Sequence, residues 1–207
     1  PLFLSLKPEK YIALKANYVD IQMFKPDKCK LPKDKKIILY VGRLEKEKGI
    51  DLMLDVVAEL DKAGECDCEL WVVGYGSLEH DIKNKTSSLK HIKIKLIGKK
   101  DIRELPQYYN CADVLLFPSL VTEGAAATVL EAMATSTPVI ATTGPIKNGI
   151  TGFLVKRDKK IIAQKLSLLL NNPNLRKEIG ENARNFVTLM SKRYLKTIYE
   201  VYLMTAN

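Results

Sequence analysis

From Ile37 onward, short unbroken apolar runs alternate with stretches in which apolar residues recur at helical spacing. Ile37-Ile38-Leu39-Tyr40-Val41, Leu70-Trp71-Val72-Val73 and Val114-Leu115-Leu116-Phe117 read as parallel strands buried on both faces, and Pro138-Val139-Ile140-Ala141 is a further run of this kind. Ile92-Lys93-Ile94-Lys95-Leu96-Ile97 alternates instead and reads as an edge strand, and Gly152-Phe153-Leu154-Val155 as a short one. Between them, Ile50, Met53, Leu54, Val57 and Leu60 mark a helix with Asp51 in its first turn and Gly64 at its end. Short helices are expected over 78–85 and through Tyr108-Tyr109. Ile161, Ile162, Leu166 and Leu169 give an amphipathic helix stopping near Asn171-Asn172-Pro173, and 175–189 and 195–204 read as two more. Strand-helix alternation of this kind predicts an α/β fold built on a doubly wound parallel sheet, with helices at the C-terminal end. The boundaries expected are an arm over 1–36, a sheet domain over 37–190 and a last helix over 191–207.

The 207 residues suffice for one sizeable core, or a domain with an appended arm. No apolar run approaches the length of a membrane span. The first ten residues include Lys7, Glu9 and Lys10 and do not resemble a secretory signal; a start at Pro1 suggests a processed or excised chain. The expected location is therefore cytoplasmic. The cysteines Cys29, Cys66, Cys68 and Cys111 are scattered and have no histidine beside them, so unpaired packing cysteines in a reducing compartment are expected, and no metal site. The net charge of +9 is carried by lysine clusters. These are either solvated faces or attractive to polyphosphates or an anionic membrane surface. No basic region with interleaved aromatics points to nucleic acid.

In a doubly wound sheet, ligands bind at the carboxyl ends of the strands. The unusual residues all fall there: Gly42-Arg43, Gly74-Tyr75-Gly76, Gly98-Lys99, the stretch 118–124 and the stretch 142–144. Arg43 and Lys48 could neutralise a diphosphate resting on a helix N-terminus, or be surface charges beside Glu45 and Glu47. The small residues Gly124-Ala125-Ala126-Ala127 open a helix to which an anion can come close. Glu123 precedes that helix, where it could face a sugar or simply stabilise the helix start; Glu131, two turns along, could accept hydrogen bonds from two ribose hydroxyls. A glycosidase carboxylate pair is a rival, but a hydrolase has no need of a cationic phosphate cradle.

Taken in order, Tyr40-Val41-Gly42-Arg43-Leu44, Lys48-Gly49, Gly74-Tyr75-Gly76, Pro118-Ser119, Glu123-Gly124, Leu130-Glu131-Ala132-Met133-Ala134, Pro138-Val139-Ile140-Ala141-Thr142 and Gly149-Ile150-Thr151-Gly152-Phe153-Leu154-Val155 resemble the C-terminal domain of retaining glycosyltransferases of family 4, the "glycosyl transferases group 1" type with the GT-B fold. The resemblance covers roughly residue 17 to the C-terminus. It implies a Rossmann-like domain that binds a nucleotide-sugar donor (UDP-, GDP- or ADP-linked) for transfer to a glycan or lipid-linked acceptor. It places Arg43 and Lys48 on the donor diphosphate, Glu123 on the donor sugar and Glu131 on the ribose. Gly98 and Lys99 fall beside the base, the amides of Gly124, Ala125 and Ala126 under the phosphates, and Thr128 and Gly74 complete the binding set. It also implies retention of anomeric configuration and no divalent metal or other cofactor; no Asp-x-Asp motif occurs.

The chain departs from the family pattern in places. Ala125-Ala126 stand where the family usually has Phe-Gly, and the loop over 143–148 is shorter and lacks the usual glutamate. Asn17-Tyr18-Val19-Asp20 resembles the interdomain Asn-Gly-Val-Asp, with Tyr18 for glycine. Almost nothing precedes that point, so the resemblance implies an excised domain or half of a split enzyme. Its N-terminal GT-B domain would be supplied in cis or trans, and the chain by itself would be inactive. Alternatives are a non-catalytic partner subunit of a glycosyltransferase complex, whose basic face docks to a membrane or to another chain, or a nucleotide-sugar epimerase.

Overall fold

The computed structural model describes residues 18–64, 67–122 and 127–206. The strands are β1 (Lys36–Val41), β2 (Cys68–Val73), β3 (Lys93–Gly98), β4 (Val114–Phe117), β5 (Val139–Ala141) and β6 (Phe153–Leu154). The helices are α1 (Ile50–Ala63), α2 (Glu79–Thr86), α3 (Leu105–Cys111), α4 (Ala127–Ala134), α5 (Lys159–Asn171) and α6 (Pro173–Ala206). A 3-10 turn over Lys46–Lys48 leads into α1.

The six strands form one sheet in the order β3-β2-β1-β4-β5-β6, and every pairing is parallel. Alternate residues of each strand feed separate cores. Ile38 and Tyr40 pack with α1, α2 and α5; Ile37, Leu39 and Val41 pack with α3, α4 and α6. Burial on both faces is why the central runs are continuously apolar, and the edge position of β3 is why it alternates. The strand order reverses between β1 and β4, which sets a crevice at their carboxyl ends.

Three features differ from the sequence expectations or extend them. The chain beyond Pro173 is one helix of 34 residues, not two. Between Leu189 and Leu195 it carries no glycine or proline, so nothing breaks it, and Pro173 sits at the start where its missing N–H is harmless. Gly180 lies where α6 crosses the loop after α4, and a Cβ there would fall 2.1 Å from the Ser136 carbonyl oxygen. The arm from Tyr18 onward is built into the domain. Val19 and Phe24 are buried in the second core, and the Arg184 guanidinium of α6 donates to the carbonyls of Ile21, Phe24 and Ala134.

The third difference concerns the cysteines. Cys29 of the arm and Cys111 at the end of α3 form a disulfide, with Cα atoms 4.5 Å apart and a sequence separation of 82. The expectation of unpaired packing cysteines is corrected for this pair, and with it the argument from cysteine usage for a reducing compartment. Cys68 is buried; Cys66 lies outside the described residues. The arm brings the pair together through contacts invisible in spacing: Asn110 bonds the Asp27 N–H and the Lys25 carbonyl, and Lys33 bonds the Cys111 carbonyl. Because the bridge closes a long loop, its reduction is expected to lower the unfolding free energy by about 2–4 kcal/mol. Urea unfolding with and without dithiothreitol, alongside a thiol titration, measures this; equal midpoints would show that the bridge adds nothing to the arm's other contacts.

Candidate functional site

At the crevice, the loops that leave β1, β2 and β4 are fastened to one another by backbone. The Gly42 N–H donates to Val73 O at 3.0 Å, and the Gly74 N–H to Gly98 O at 3.0 Å. A Cβ on Gly74 would meet Gly42 O at 1.9 Å, so only glycine permits this crossing of the β1 and β2 exits. Leu44 exchanges bonds with Tyr75 and Leu78, which seats the stretch after β2 against the turn after β1. Across the switch point, Gly49 packs on the Pro118 carbonyl and the Leu120 N–H donates to Glu47 O at 2.8 Å. Thr142, after β5, donates its hydroxyl to Ser119 O at 2.6 Å. The glycine-rich strand exits noted in sequence thus form one rim.

On that rim, Arg43 is exposed and its Nη2 donates to Glu47 Oε1 in the 3-10 turn. Arg43 therefore stands beside Glu47. Glu45 instead accepts from the Ser77 N–H and hydroxyl, bonds that lower its carboxyl below the ordinary value and tie the turn to the loop after β2. Lys48 closes the 3-10 turn, half-buried, its N–H donating to Glu45 O. Gly49 follows with φ 76° and caps α1. A cavity of about 250 Å³ opens between the ends of β1, β2 and β3, lined by Gly42, Arg43, Gly74, Tyr75, Lys99 and Leu105. The Lys99 ammonium lies 5.2 Å from the centre of the Tyr75 ring, which is 54% exposed. Gly98 ends β3 at φ 79°, with open space where a Cβ would be. This cavity gathers Arg43, Gly74 and Lys99 of the expected site, and the Gly98 carbonyl accepts from the Gly74 N–H.

A second cluster lies on α4. Glu131 is only 9% exposed, and its Oε2 accepts from the Tyr109 hydroxyl of α3 at 2.7 Å. Thr128 lies one turn earlier on α4. Burial raises the Glu131 carboxyl above its ordinary value, and the Tyr109 bond pulls it back only in part. Burial, then the charge of Glu131, pushes the Tyr109 phenol well up, so it serves as a donor. Sequence reasoning placed Tyr109 on a helix but assigned it no role, because helical spacing does not reveal where a hydroxyl points. Glu123, Gly124, Ala125 and Ala126 lie outside the described residues. Among the described residues no group of His, Cys, Asp and Glu is arranged to hold a metal ion, and no helix is long and apolar enough to cross a membrane.

A parallel sheet whose strand order reverses at a crevice rimmed by glycine turns defines a Rossmann-like domain. The chain belongs to the glycosyl transferases group 1 family, whose model matches residues 22–186. It is a C-terminal-type domain of that GT-B family. It is 34% identical over 164 residues to the capsular polysaccharide biosynthesis glycosyltransferase CapM of Staphylococcus aureus, covering 76% of this chain and 43% of CapM. It is similar to the crystal structure of the C-terminal domain of the group 1 protein LpcC from Francisella tularensis, with 27% identity, a TM-score of 0.69, and coverage of 83% of this chain and 97% of that one. It shares its fold with S. aureus TarM, solved in complex with fondaparinux, alpha-GlcNAc-glycerol and UDP, at 24% identity and a TM-score of 0.74, over 90% of this chain and 38% of TarM. The chain spans less than half the length of the curated relatives it matches.

Proposed function

We propose that this chain is the donor-binding domain of a retaining glycosyltransferase and holds a nucleoside diphosphate sugar at the rim between β1 and β4. The observation that carries the proposal is the meeting of Arg43, the Lys46–Lys48 turn and the start of α1 beside the cavity at the strand ends. The UDP held by TarM is consistent with it. In this reading the base lies near Gly98, Lys99 and Gly74, and the ribose hydroxyls bond Glu131 beside Thr128. The diphosphate bears on Arg43, Lys48 and the amides of Gly124, Ala125 and Ala126, and the sugar faces Glu123. In transfer, the bond from the sugar's anomeric carbon to the diphosphate breaks, and its electron pair leaves with the diphosphate. An acceptor hydroxyl attacks from the same face, and its proton passes to the oxygen of the departing diphosphate. The cations and helix N-terminus stabilise the leaving charge without a divalent metal. The acceptor is a glycan or lipid-linked sugar, bound with an N-terminal GT-B domain supplied in cis or trans. The basic surface suits peripheral contact with the cytoplasmic face of a membrane.

Calorimetric titration with UDP, GDP and ADP tests the reading. At least one is expected to bind, equally well with and without EDTA. Arg43→Ala is expected to weaken that binding by about tenfold or more, since a charge-assisted bond to phosphate is lost. Glu47→Gln is expected to leave it unchanged or tighten it, because Glu47 competes for the same guanidinium. Absence of binding by all three nucleotides would overturn the proposal. Turnover by this chain alone would overturn the need for a second domain.

A further inference from the structure

We propose that Tyr109 is a positioning residue for the donor's ribose, acting through Glu131; this rests on the donor-site reading above. The Glu131 side chain is buried against α3, yet a carboxylate can accept about four hydrogen bonds. Among the described residues its one hydrogen-bond partner is Tyr109, through Oε2. Oε1 is thereby left to an incoming donor. A buried carboxylate satisfied on one side only is costly to the fold, and a ligand carrying vicinal hydroxyls supplies what is missing.

The phenol is itself tightly placed. Tyr109 is fully buried. Its hydroxyl donates to Glu131 in the second turn of α4. Its ring meets Phe24 of the arm edge-on, with centroids 5.9 Å apart. Its carbonyl accepts from the Thr137 hydroxyl at 2.8 Å, and the next residues are tied to the arm through Asn110 and the Cys29–Cys111 bridge. Tyr109 is thus fixed from several sides without help from Glu131, and it sets the plane of the carboxylate before any ligand arrives. Among the described residues, no other titratable side chain faces this pair from the elements packed on α4. β4 and β5 bring only apolar residues. Arg184 of α6 donates to backbone carbonyls, those of Ile21, Phe24 and Ala134, and not to this pair. The orientation of the Glu131 carboxylate therefore depends on this one phenol.

Tyr109→Phe in the 207-residue chain keeps the ring and removes the bond. The readout is affinity for UDP, GDP and ADP, each compared with its 2′,3′-dideoxy counterpart by calorimetry. The unsubstituted chain is expected to prefer the ribonucleotide by about tenfold or more, the scale of a hydrogen bond to a charged group. In Tyr109→Phe that preference collapses toward unity, while affinity for the dideoxy nucleotide changes little. Thr137→Val removes another buried bond at the same residue without touching Glu131, and it retains the preference. A Tyr109→Phe chain that keeps the full preference would overturn the inference and leave the donor site standing. Collapse of the preference in Thr137→Val as well would reduce Tyr109 to a general packing role and also overturn it. An unsubstituted chain that binds nucleotides without any ribose preference would remove Glu131 from the ribose, and Tyr109 with it. One that binds no nucleotide at all would sink the donor-site reading itself.

Discussion

Gly49→Ala is expected to lower the unfolding free energy by about 2–5 kcal/mol, whereas Gly64→Ala lowers it by about 1–2 kcal/mol. The two glycines cap opposite ends of α1 and have nearly the same backbone, φ 76° and 68°. Left-handed geometry disfavours any Cβ at both. Their surroundings separate them. A Cβ added at Gly64 would meet nothing within 4 Å, so only the conformational penalty applies. At Gly49 the added carbon would lie 2.0 Å from the Pro118 carbonyl oxygen and 2.7 Å from its carbon. Both are backbone, and they cannot rotate away. Relief would require the β1 and β4 exits to separate, which also strains the bond from Leu120 to Glu47. Since these exits form the proposed phosphate cradle, Gly49→Ala should weaken nucleotide binding even where the domain stays folded, and Gly64→Ala should not. Urea unfolding and calorimetry on both variants check this; equal destabilisation would mean that the contact with Pro118 is not tight.

What is legible in the sequence follows from periodicity. Runs such as Ile37-Ile38-Leu39-Tyr40-Val41 are apolar throughout because both sheet faces are covered, and Lys93 and Lys95 alternate with Ile94 and Leu96 because β3 is an edge. The glycines at strand ends announce the rim, since close backbone crossings such as Gly74 over Gly42 leave glycine no substitute. Features depending on contacts between distant residues are not legible. Nothing in spacing pairs Cys29 with Cys111, because the arm's route over α3 is set by Asn110 and Phe24. The unbroken course of α6 is obscured by a dip in apolar spacing after Leu189, which imitates a boundary although no breaker stands there. For the site, residue types are readable but their bonds are not. Arg43 is visible as a cation, while its engagement by Glu47 and the hold of Tyr109 on Glu131 are products of the fold.

That hold sets function against stability, and Glu131→Gln separates them. Burial raises the Glu131 carboxyl above the usual 4.5, so the folded chain keeps this proton at pH values where the unfolded chain has released it. Ionising Glu131 therefore opposes folding, and its contribution becomes less favourable as pH rises from the ordinary glutamate range through the raised folded value. Glutamine has nearly the same shape and keeps a carbonyl oxygen for the Tyr109 hydroxyl, but it carries no charge to desolvate. Glu131→Gln is thus expected to be more stable than the unsubstituted chain at neutral pH. The difference should shrink to nothing at acid pH, where Glu131 is protonated in both folded and unfolded chains. Asp61 and Glu69, whose carboxyls are held below their ordinary values, lose their own stabilisation in acid in both proteins and so cancel from the comparison. Nucleotide affinity should move the opposite way, falling by about 10- to 100-fold, because bonds from ribose hydroxyls to a charged acceptor are replaced by weaker ones to an amide. Urea unfolding across pH, paired with calorimetry at neutral pH, reads both effects. A variant less stable at neutral pH would show that the carboxylate is structural, and unchanged affinity would place the ribose elsewhere.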